Sequence, residues 1–571
     1  MSNRRKLTYP GLALIMLALA GLACIPLEQL AGGFETPTPA VTTAPNFQVD
    51  VLTPLPEPTS TQRAFVLPPP PSPTPLPAIP TPAYPWLTGE VAVYPGPRHY
   101  EGDILTFELR AENLAGQNGI QPRVWIDGVE LADVPAVTFI SPWEDGFLVL
   151  PQVWDTTGQA GWHDIVIELE PMPPLQFAIE VLPAERLPPQ ERAAEWRELV
   201  TDCCRLYYLT HTPAERDLEA IVETVEEAVA DVELRLDREI APKPVPITLI
   251  DNVWGHGAFA STGSGVVISY VDRPYNGLDL ETVVRHEATH WATFPLNHGT
   301  PTLLVEGLAV YVAGGHFKPE PIPARAAALL ALDRYVPLAD LANDFRGYQH
   351  EIAYLEAGGL IYWLASTYGR AQLLTLYSLE LEADSPAEWL DEAVWIVYGL
   401  TLDEVETAYL RWLEGITPGG QVDDLRLTLE LYELLRRYQY TYAPFQMLLP
   451  TAAEAAAGDR VGEFLREPTN DINYTIETMM LNAQTALRDG RYAEAEELIG
   501  QIDHALTTGD FSVEPTVSYL QIANLFAAQG YEPLQIVLDG EQAYVLATRD
   551  RPRQESFLVY RDAGGRWQIG R

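Results

Sequence analysis

The chain has 571 residues, of which 36 are Lys or Arg and 79 are Asp or Glu, so its formal charge is −43. This charge excludes a nucleic-acid backbone as a partner, because binding of phosphates depends on clustered Lys and Arg. The length is too great for one hydrophobic core and predicts three or four domains of roughly 100 to 200 residues each.

The amino terminus predicts export from the cytoplasm. Arg4, Arg5 and Lys6 precede an apolar run over residues 11–23 that ends at Cys24, a pattern typical of a signal peptide over residues 1–24. The run "LALAGLAC" resembles a bacterial lipoprotein signal, which implies a lipid on Cys24 and an extracytoplasmic protein held at the cell membrane or cell surface. An uncleaved apolar anchor is the alternative.

The next two regions predict a spacer and a β-domain. Residues 25–88 are rich in Pro and Thr, which favours extended polyproline II and a semi-rigid linker. Residues 89–183 contain short segments of alternating hydrophobicity separated by turn signals, which predicts an antiparallel β-sandwich. Segments such as "EGDILTFELRAEN" resemble immunoglobulin-like (Ig-like) modules.

Three cysteines occur, and they are too few for a disulfide framework or a Cys-based zinc site. Cys203 and Cys204 are adjacent in the sequence. They are interpreted as two small buried apolar side chains, with a vicinal disulfide as the alternative.

The rest of the chain mixes helices and strands. Residues 188–417 alternate the two patterns, and "PVPITLI" and "GVVISY" within them predict strands. Residues 418–512 are helical, and their segment "ALRDGRYAEAEELI" resembles one tetratricopeptide hairpin, although a single copy predicts a local hairpin only. Residues 513–571 predict a helix followed by strands, as in a small α+β module.

The segment "HEATH" carries the chemistry. Asp279 is a cap residue, and residues 280–294 contain neither Pro nor Gly, so they predict one helix. His286 and His290 are four residues apart and share a helical face. This spacing points two imidazoles at one metal ion, with Glu287 placed to act as a base.

A second helix supplies a third ligand. Thr300-Pro301 predicts its start, and Gly314-Gly315 predicts its end. Glu306 is the only charged residue between them, and a buried carboxylate costs several kcal/mol unless it is paired or coordinates a metal. Zinc held by two His and one Glu provides that partner. The small Gly307 and Ala309 are predicted to let this helix approach the "HEATH" helix.

The two segments together resemble the peptidase MA-like (gluzincin) zinc metallopeptidases, whose signature is HExxH with a downstream Glu-Gly-x-Ala-x-Tyr, here "EGLAVY". The resemblance covers roughly residues 200–415, although the Trp that usually precedes the ligand Glu is absent. It implies that His286, His290 and Glu306 hold Zn²⁺ and that Glu287 is the catalytic base.

The predicted fold class is therefore α+β and multidomain, in the following order: signal peptide (1–24), Pro/Thr-rich linker (25–88), Ig-like β-sandwich (89–183), zincin-type metallopeptidase domain with a small sheet and a helical half (188–417), helical segment (418–512) and small α+β module (513–571).

The resemblance also implies where substrate binds. Related enzymes pair a substrate strand with the edge strand before the HExxH helix, which gives that role to Val267, Ile268 and Ser269, with an ordinary sheet strand as the alternative. Tyr354 is the candidate oxyanion donor, with a packed core tyrosine as the alternative. The other nearby histidines are predicted to be loop or surface residues (His298, His316 and His350), with support of the site residues or contact with substrate as the alternative. His256 has no spacing relation to a metal site.

The predicted function is a membrane-anchored zinc metallopeptidase, a hydrolase in which zinc activates a bound water and Glu287 accepts the proton. Its predicted partners are a peptide or protein substrate and a membrane, without nucleic acid. A catalytically weak zinc-containing surface protein is one alternative. A purely structural helical bundle is another, and it leaves His286, His290 and Glu306 unexplained.

Overall fold

The computed structural model describes residues 91–110, 121–140, 146–169 and 174–570. They all belong to one compact unit, Pro82–Arg571. The predicted signal peptide, the lipidation of Cys24 and the Pro/Thr-rich linker lie outside the described residues. Among the described helices, none has both the length and the apolar character needed to cross a membrane.

Two sheets form the first part of the described chain, and they enclose a common apolar core that includes Phe107, Leu150 and Ile165. Their orders are β1-β3-β7-β6 and β2-β9-β8-β4-β5. The arrangement agrees with the predicted sandwich of strands, while the Ig-like relationship stays a prediction. The strands are β1 (Val91–Tyr94), β2 (His99–Tyr100), β3 (Ile104–Arg110), β4 (Arg123–Ile126), β5 (Val129–Glu130), β6 (Val137–Ile140), β7 (Gly146–Asp155), β8 (Gly161–Glu168) and β9 (Leu175–Leu182).

The second part contains a five-stranded sheet of order β10-β11-β12-β14-β13. Its three central strands run parallel to one another, and each outer strand pairs antiparallel with its neighbour. The interior strands β12 and β14 are almost continuously buried, as expected for strands covered on both faces. The strands are β10 (Trp196–Val200), β11 (Cys204–Leu209), β12 (Val245–Ile250), β13 (Ala258–Ser261) and β14 (Gly265–Ser269).

Helices cover this sheet and continue beyond it, while the zincin-type arrangement stays a prediction. These helices bury mainly apolar side chains. The helix that carries "HEATH" is α4. The helices are α1 (Pro189–Ala193), α2 (Pro213–Arg216), α3 (Leu218–Leu236), α4 (Leu280–Thr293), α5 (Thr302–Ala313), α6 (Ile322–Ala331), α7 (Leu338–Asn343), α8 (His350–Tyr368), α9 (Arg370–Tyr377), α10 (Pro386–Tyr398), α11 (Leu402–Glu414), α12 (Gln421–Tyr442), α13 (Ala452–Ala457), α14 (Gly462–Leu465), α15 (Asp471–Arg488), α16 (Tyr492–Thr508) and α17 (Thr516–Ala527).

The carboxyl-terminal part has its own apolar core, formed by α12, α15, α16, α17 and a four-stranded antiparallel sheet. Helices α15 and α16 form the helical hairpin that the sequence predicted. The mixed α+β character predicted for the whole chain is confirmed. The strands of this sheet are β15 (Glu532–Asp539), β16 (Gln542–Thr548), β17 (Glu555–Arg561) and β18 (Trp567–Ile569).

The interpretation of Cys203 and Cys204 as two free thiols is wrong. Their sulfur atoms are bonded as a vicinal disulfide. The turn before β11 holds the pair, because the backbone N–H of Thr201 donates to the carbonyl of Cys204 at 2.8 Å. Both side chains are buried, so the predicted burial is confirmed.

Buried charges attach the sandwich to the rest of the molecule. The guanidinium of Arg466 donates to both carboxylate oxygens of Asp103 at 2.6 and 2.8 Å and also pairs with Glu191. In β3, Glu108 accepts a hydrogen bond at 2.6 Å from the backbone N–H of Met447. Burial raises the pKa of Glu108 to about 8.

Replacement of Glu108 by Gln is expected to remove a loss of stability that the unchanged protein shows as the pH rises from about 5 to about 8. The unfolded chain ionises near its ordinary pKa of 4.5, whereas the folded chain keeps the proton up to about pH 8. Ionisation therefore favours unfolding, and stability falls as the pH rises through this window, by up to about 4 kcal/mol at pH 8.

The measurement is the thermal midpoint of both proteins at pH 5 and pH 8. We expect the Glu108→Gln protein to lose less of its midpoint between these values than the unchanged protein. The control is Glu180→Gln, which changes an exposed carboxylate of β9 in the same sandwich. Equal pH dependence in the Glu108→Gln and Glu180→Gln proteins would contradict the prediction.

Candidate metal centre

Helix α4 presents the two histidines of "HEATH" on one face. It begins at Leu280, where the Asp279 carboxylate accepts a hydrogen bond from the N–H of Thr282 at 2.9 Å, as a capping residue does. His286 and His290 are buried on the face that turns towards α5. The predicted cap and start of this helix are confirmed.

Helix α5 supplies the carboxylate. It ends at Gly314, whose positive φ of 82° is the left-handed conformation that glycine favours. Its start differs from the prediction, because Pro301 is the capping residue and the Thr300 hydroxyl donates to the carbonyl of Tyr377 at 2.9 Å. The start of α5 is therefore tied to α9 by this hydrogen bond and is not capped by a side chain.

Gly307 permits a close approach between helices, as predicted, but the predicted partner helix, α4, is wrong. A Cβ at this position would lie 2.7 Å from the carbonyl oxygen of Ala357 and 2.8 Å from Ile361. Both of these residues belong to α8. The glycine thus permits close packing of α5 on α8, not on α4.

Three ligand atoms meet between α4 and α5. Nε2 of His286 lies 3.3 Å from Oε2 of Glu306, and Nε2 of His290 lies 3.1 Å from the same oxygen. The two Nε2 atoms are 3.1 Å apart. The structure therefore brings together the three residues that the sequence proposed as ligands.

The spacing of these atoms fits a metal ion. Ligands at about 2.0–2.1 Å from zinc in a tetrahedral site lie roughly 3.3–3.4 Å from one another, close to the distances here. The rings of His286 and His290 meet at 78°, so their planes converge rather than run parallel. Two imidazoles and one carboxylate are also the donor set of catalytic zinc sites, in which a fourth position stays open.

The electrostatics of the three groups follow from their burial and proximity. Burial lowers the pKa of His286 to about 4, so this ring is neutral. Burial alone would lower the pKa of His290 also, but the charge of Glu306 raises it to about 9. The histidines hold the pKa of Glu306 far below its ordinary value against the effect of burial. Without metal, the site is thus an ion pair of His290 and Glu306.

We expect the affinity for Zn²⁺ to rise with pH. Because the folded protein holds a proton on His290 up to about pH 9, zinc must displace one proton, and this competition weakens as the pH rises. The dissociation constant should fall about tenfold per pH unit between pH 6 and pH 8. Competition with a chelator of known affinity measures it, and a constant value across this range would contradict the protonation of His290.

Glu287 is buried beside the three ligands. Its Oε2 has no hydrogen-bond partner among the described residues. Burial raises the pKa of Glu287 to about 8, while the charge of His290 lowers it and that of Glu306 raises it. A carboxylate held without a partner next to a metal site has the arrangement of a general base.

Tyr354 lies near His286, and their ring centroids are 6.1 Å apart. Burial and the charges of Glu306 and Glu287 raise its pKa well above the ordinary value, so the hydroxyl stays protonated. The hydroxyl forms no hydrogen bond with any residue in the described part of the chain. It is therefore able to donate a hydrogen bond to a bound group.

Comparisons with known proteins add one structure. Native yeast LTA4 hydrolase aligns with 74% of this chain and 92% of its own length, at 11% sequence identity and a TM-score of 0.30. The likeness is weak. No protein-family model and no curated protein sequence matches the chain. Membership of the gluzincin group therefore rests on the motif and the geometry.

The assignment of an edge position to Val267, Ile268 and Ser269 is wrong. These residues belong to β14, which pairs with β12 on one side and β13 on the other, so its backbone groups are already bonded. The sequence pattern did not predict β13, a four-residue strand that immediately precedes the turn to β14. The edge strand is β13, and it packs against α4.

His316 lies in the loop after α5, as predicted, but it is buried there and only 3% exposed. The prediction is wrong for His350, which is half-buried in the first turn of α8. His298 is exposed, as predicted. His316 and His350 are separated from the metal ligands along the chain, so the sequence pattern did not show that their rings lie close to the site. Only the pairing of α5 with α8 brings these rings to the site.

A second group of ligand atoms lies nearby, from His256, His350 and Glu351, all within 4.8 Å of one another. Its geometry is less suited to a metal. The rings of His256 and His350 are parallel within 5° at 4.0 Å, so their lone pairs lie in separate planes and do not converge. Nε2 of His256 also accepts a hydrogen bond at 3.1 Å from the guanidinium of Arg436.

Proposed function

We propose that this protein is a zinc metallopeptidase of the gluzincin kind, held outside the cytoplasm by its amino-terminal segment. The observation that supports the chemistry is the convergence of His286, His290 and Glu306 beside the unpartnered carboxylate of Glu287. The location is supported by the signal-like sequence of residues 1–24 alone.

The residues have separate tasks in this proposal. His286, His290 and Glu306 hold Zn²⁺, which when bound supplies a Lewis acid and lowers the pKa of water. Glu287 accepts a proton from the attacking water and passes it to the leaving amine. The Tyr354 hydroxyl donates a hydrogen bond to the developing oxyanion. The outer edge of β13, the last strand of its sheet, pairs with an extended peptide in this proposal.

Metal content and peptide cleavage test the proposal together. The purified full chain is analysed by inductively coupled plasma mass spectrometry, and its action on a peptide library is followed by mass spectrometry. We expect one zinc per chain and cleavage that stops with a chelator and returns with Zn²⁺.

The alternative is a zinc-containing surface protein with little or no catalytic activity. It predicts one zinc per chain without cleavage of any peptide in the library. Absence of zinc together with absence of cleavage would instead favour a purely structural pair of helices.

A further inference from the structure

Three rings form a compact cluster next to the proposed metal site. The ring centroid of Tyr354 lies 3.9 Å from that of His350 and 4.3 Å from that of His316. The two histidine rings are 4.7 Å apart. All three planes lie within 35° of one another, and we call them the histidine–tyrosine cluster.

One histidine of the cluster is anchored by a carboxylate. Nδ1 of His316 lies 3.2 Å from Oε1 of Glu351, and the side chains of both residues are at most 3% exposed. The anchor and the tyrosine share α8, with Glu351 three residues before Tyr354. The position of His316 relative to Tyr354 is therefore set by one helix and one short contact.

The other histidine is held by stacking. His350 lies four residues before Tyr354 on α8, so the two side chains share a face of the helix. Its opposite neighbour is His256, whose ring it stacks on at 4.0 Å. Arg436 donates a hydrogen bond to His256 and so fixes that ring. Movement of His350 away from Tyr354 is blocked.

Tyr354 itself depends on these contacts. Its hydroxyl forms no hydrogen bond with a described residue, so packing orients the side chain, and the two histidine rings are its nearest aromatic contacts. Phe345 contributes one further ring contact, at 5.1 Å. A donor aimed at an oxyanion must hold its position closely, since a displacement of about 1 Å can cost about 100-fold in rate.

We infer that His316 and His350 are positioning residues that hold the Tyr354 ring for its role in catalysis. This inference rests on the proposed peptidase function. The two histidines act through Tyr354 and do not themselves touch substrate.

A double-mutant cycle with the full-length zinc protein tests this inference. His350→Ala is expected to lower kcat at least about tenfold, with KM and zinc content unchanged, because the ring loses its packing. His350→Phe should restore most of kcat, since Phe keeps the ring contact. In a Tyr354→Phe background, His350→Ala should have no further effect. The control is His298→Ala, which removes an exposed histidine and should leave kcat unchanged.

Two kinetic results would overturn the inference. An equal loss from His350→Ala with and without the Tyr354 hydroxyl would show that His350 does not act through Tyr354. Failure of His350→Phe together with rescue by His350→Gln would show that a hydrogen-bonding side-chain nitrogen, rather than ring packing, is required.

A crystal structure of the His350→Ala protein gives a readout independent of activity. We expect the Tyr354 side chain to leave its position against His316, and an unmoved side chain would overturn the inference. If the unchanged protein binds zinc but cleaves no peptide, the proposed function fails while this structural test still decides the positioning.

Discussion

Replacement of Glu287 by Gln is expected to lower kcat for peptide hydrolysis about 10³-fold while one zinc ion per chain stays bound. A general base contributes roughly 10²- to 10⁴-fold, and an amide has no basic oxygen to accept the proton. Gln has nearly the same shape as Glu, and Glu287 has a side-chain oxygen without any partner among the described residues, so the substitution breaks no hydrogen bond of that oxygen. The measurements are kcat on one library peptide and the zinc content.

The matched control is Glu281→Gln. It removes a carboxylate from the same helix, but Glu281 pairs with Arg285 away from the three ligands. Its kcat should stay within about twofold of the unchanged protein, because exposed pairs contribute little. Activity of the Glu287→Gln protein equal to that of the Glu281→Gln protein would remove Glu287 from the mechanism.

Replacement of Glu306 by Gln is expected to remove zinc and activity together. The carboxylate is one of three ligands, and its charge is what raises the pKa of His290. Loss of a residue outside the ligand shell already lowers metal affinity 10- to 100-fold, so loss of a ligand should lower it by more than about 100-fold. Equilibrium dialysis against a chelator measures the change.

The corresponding change in the second group is Glu351→Gln. If zinc occupies only the first group, this protein keeps one zinc per chain, whereas the Glu306→Gln protein loses it. The reverse result, with zinc lost from the Glu351→Gln protein and kept by the Glu306→Gln protein, would move the metal centre to His256, His350 and Glu351.

The candidate ligands were predictable because helical geometry is local. The spacing of His286 and His290 is set by the 3.6-residue turn, and a capped helix without Pro or Gly presents both rings on one face whatever surrounds it. Glu306 was predictable for an energetic reason, since an apolar helix does not bury a carboxylate without a partner. The types of the three ligand residues therefore follow from the sequence and do not depend on the contact between α4 and α5.

The edge of the sheet was not predictable from the same evidence. The pattern of β14 predicts a buried strand, but a strand is interior or at the edge only through the strands that pair with it. The short strand β13 pairs antiparallel along β14 from Ala258 to Ser261 and takes the outer position. The sequence of β14 indicates that both of its faces are buried, but it does not indicate which strands pair with it.

The sequence by itself determined the ligand types, their helical spacing, the amino-terminal cap of α4 and the order of α and β regions, because these depend on residues within a few positions of one another. Only the tertiary structure decided that Gly307 packs on α8, that Cys203 and Cys204 are bonded, and that His316 and His350 surround Tyr354. The physical reason is that side chains far apart in the chain meet only after helices pack, and the faces that meet depend on the whole core rather than on either helix alone.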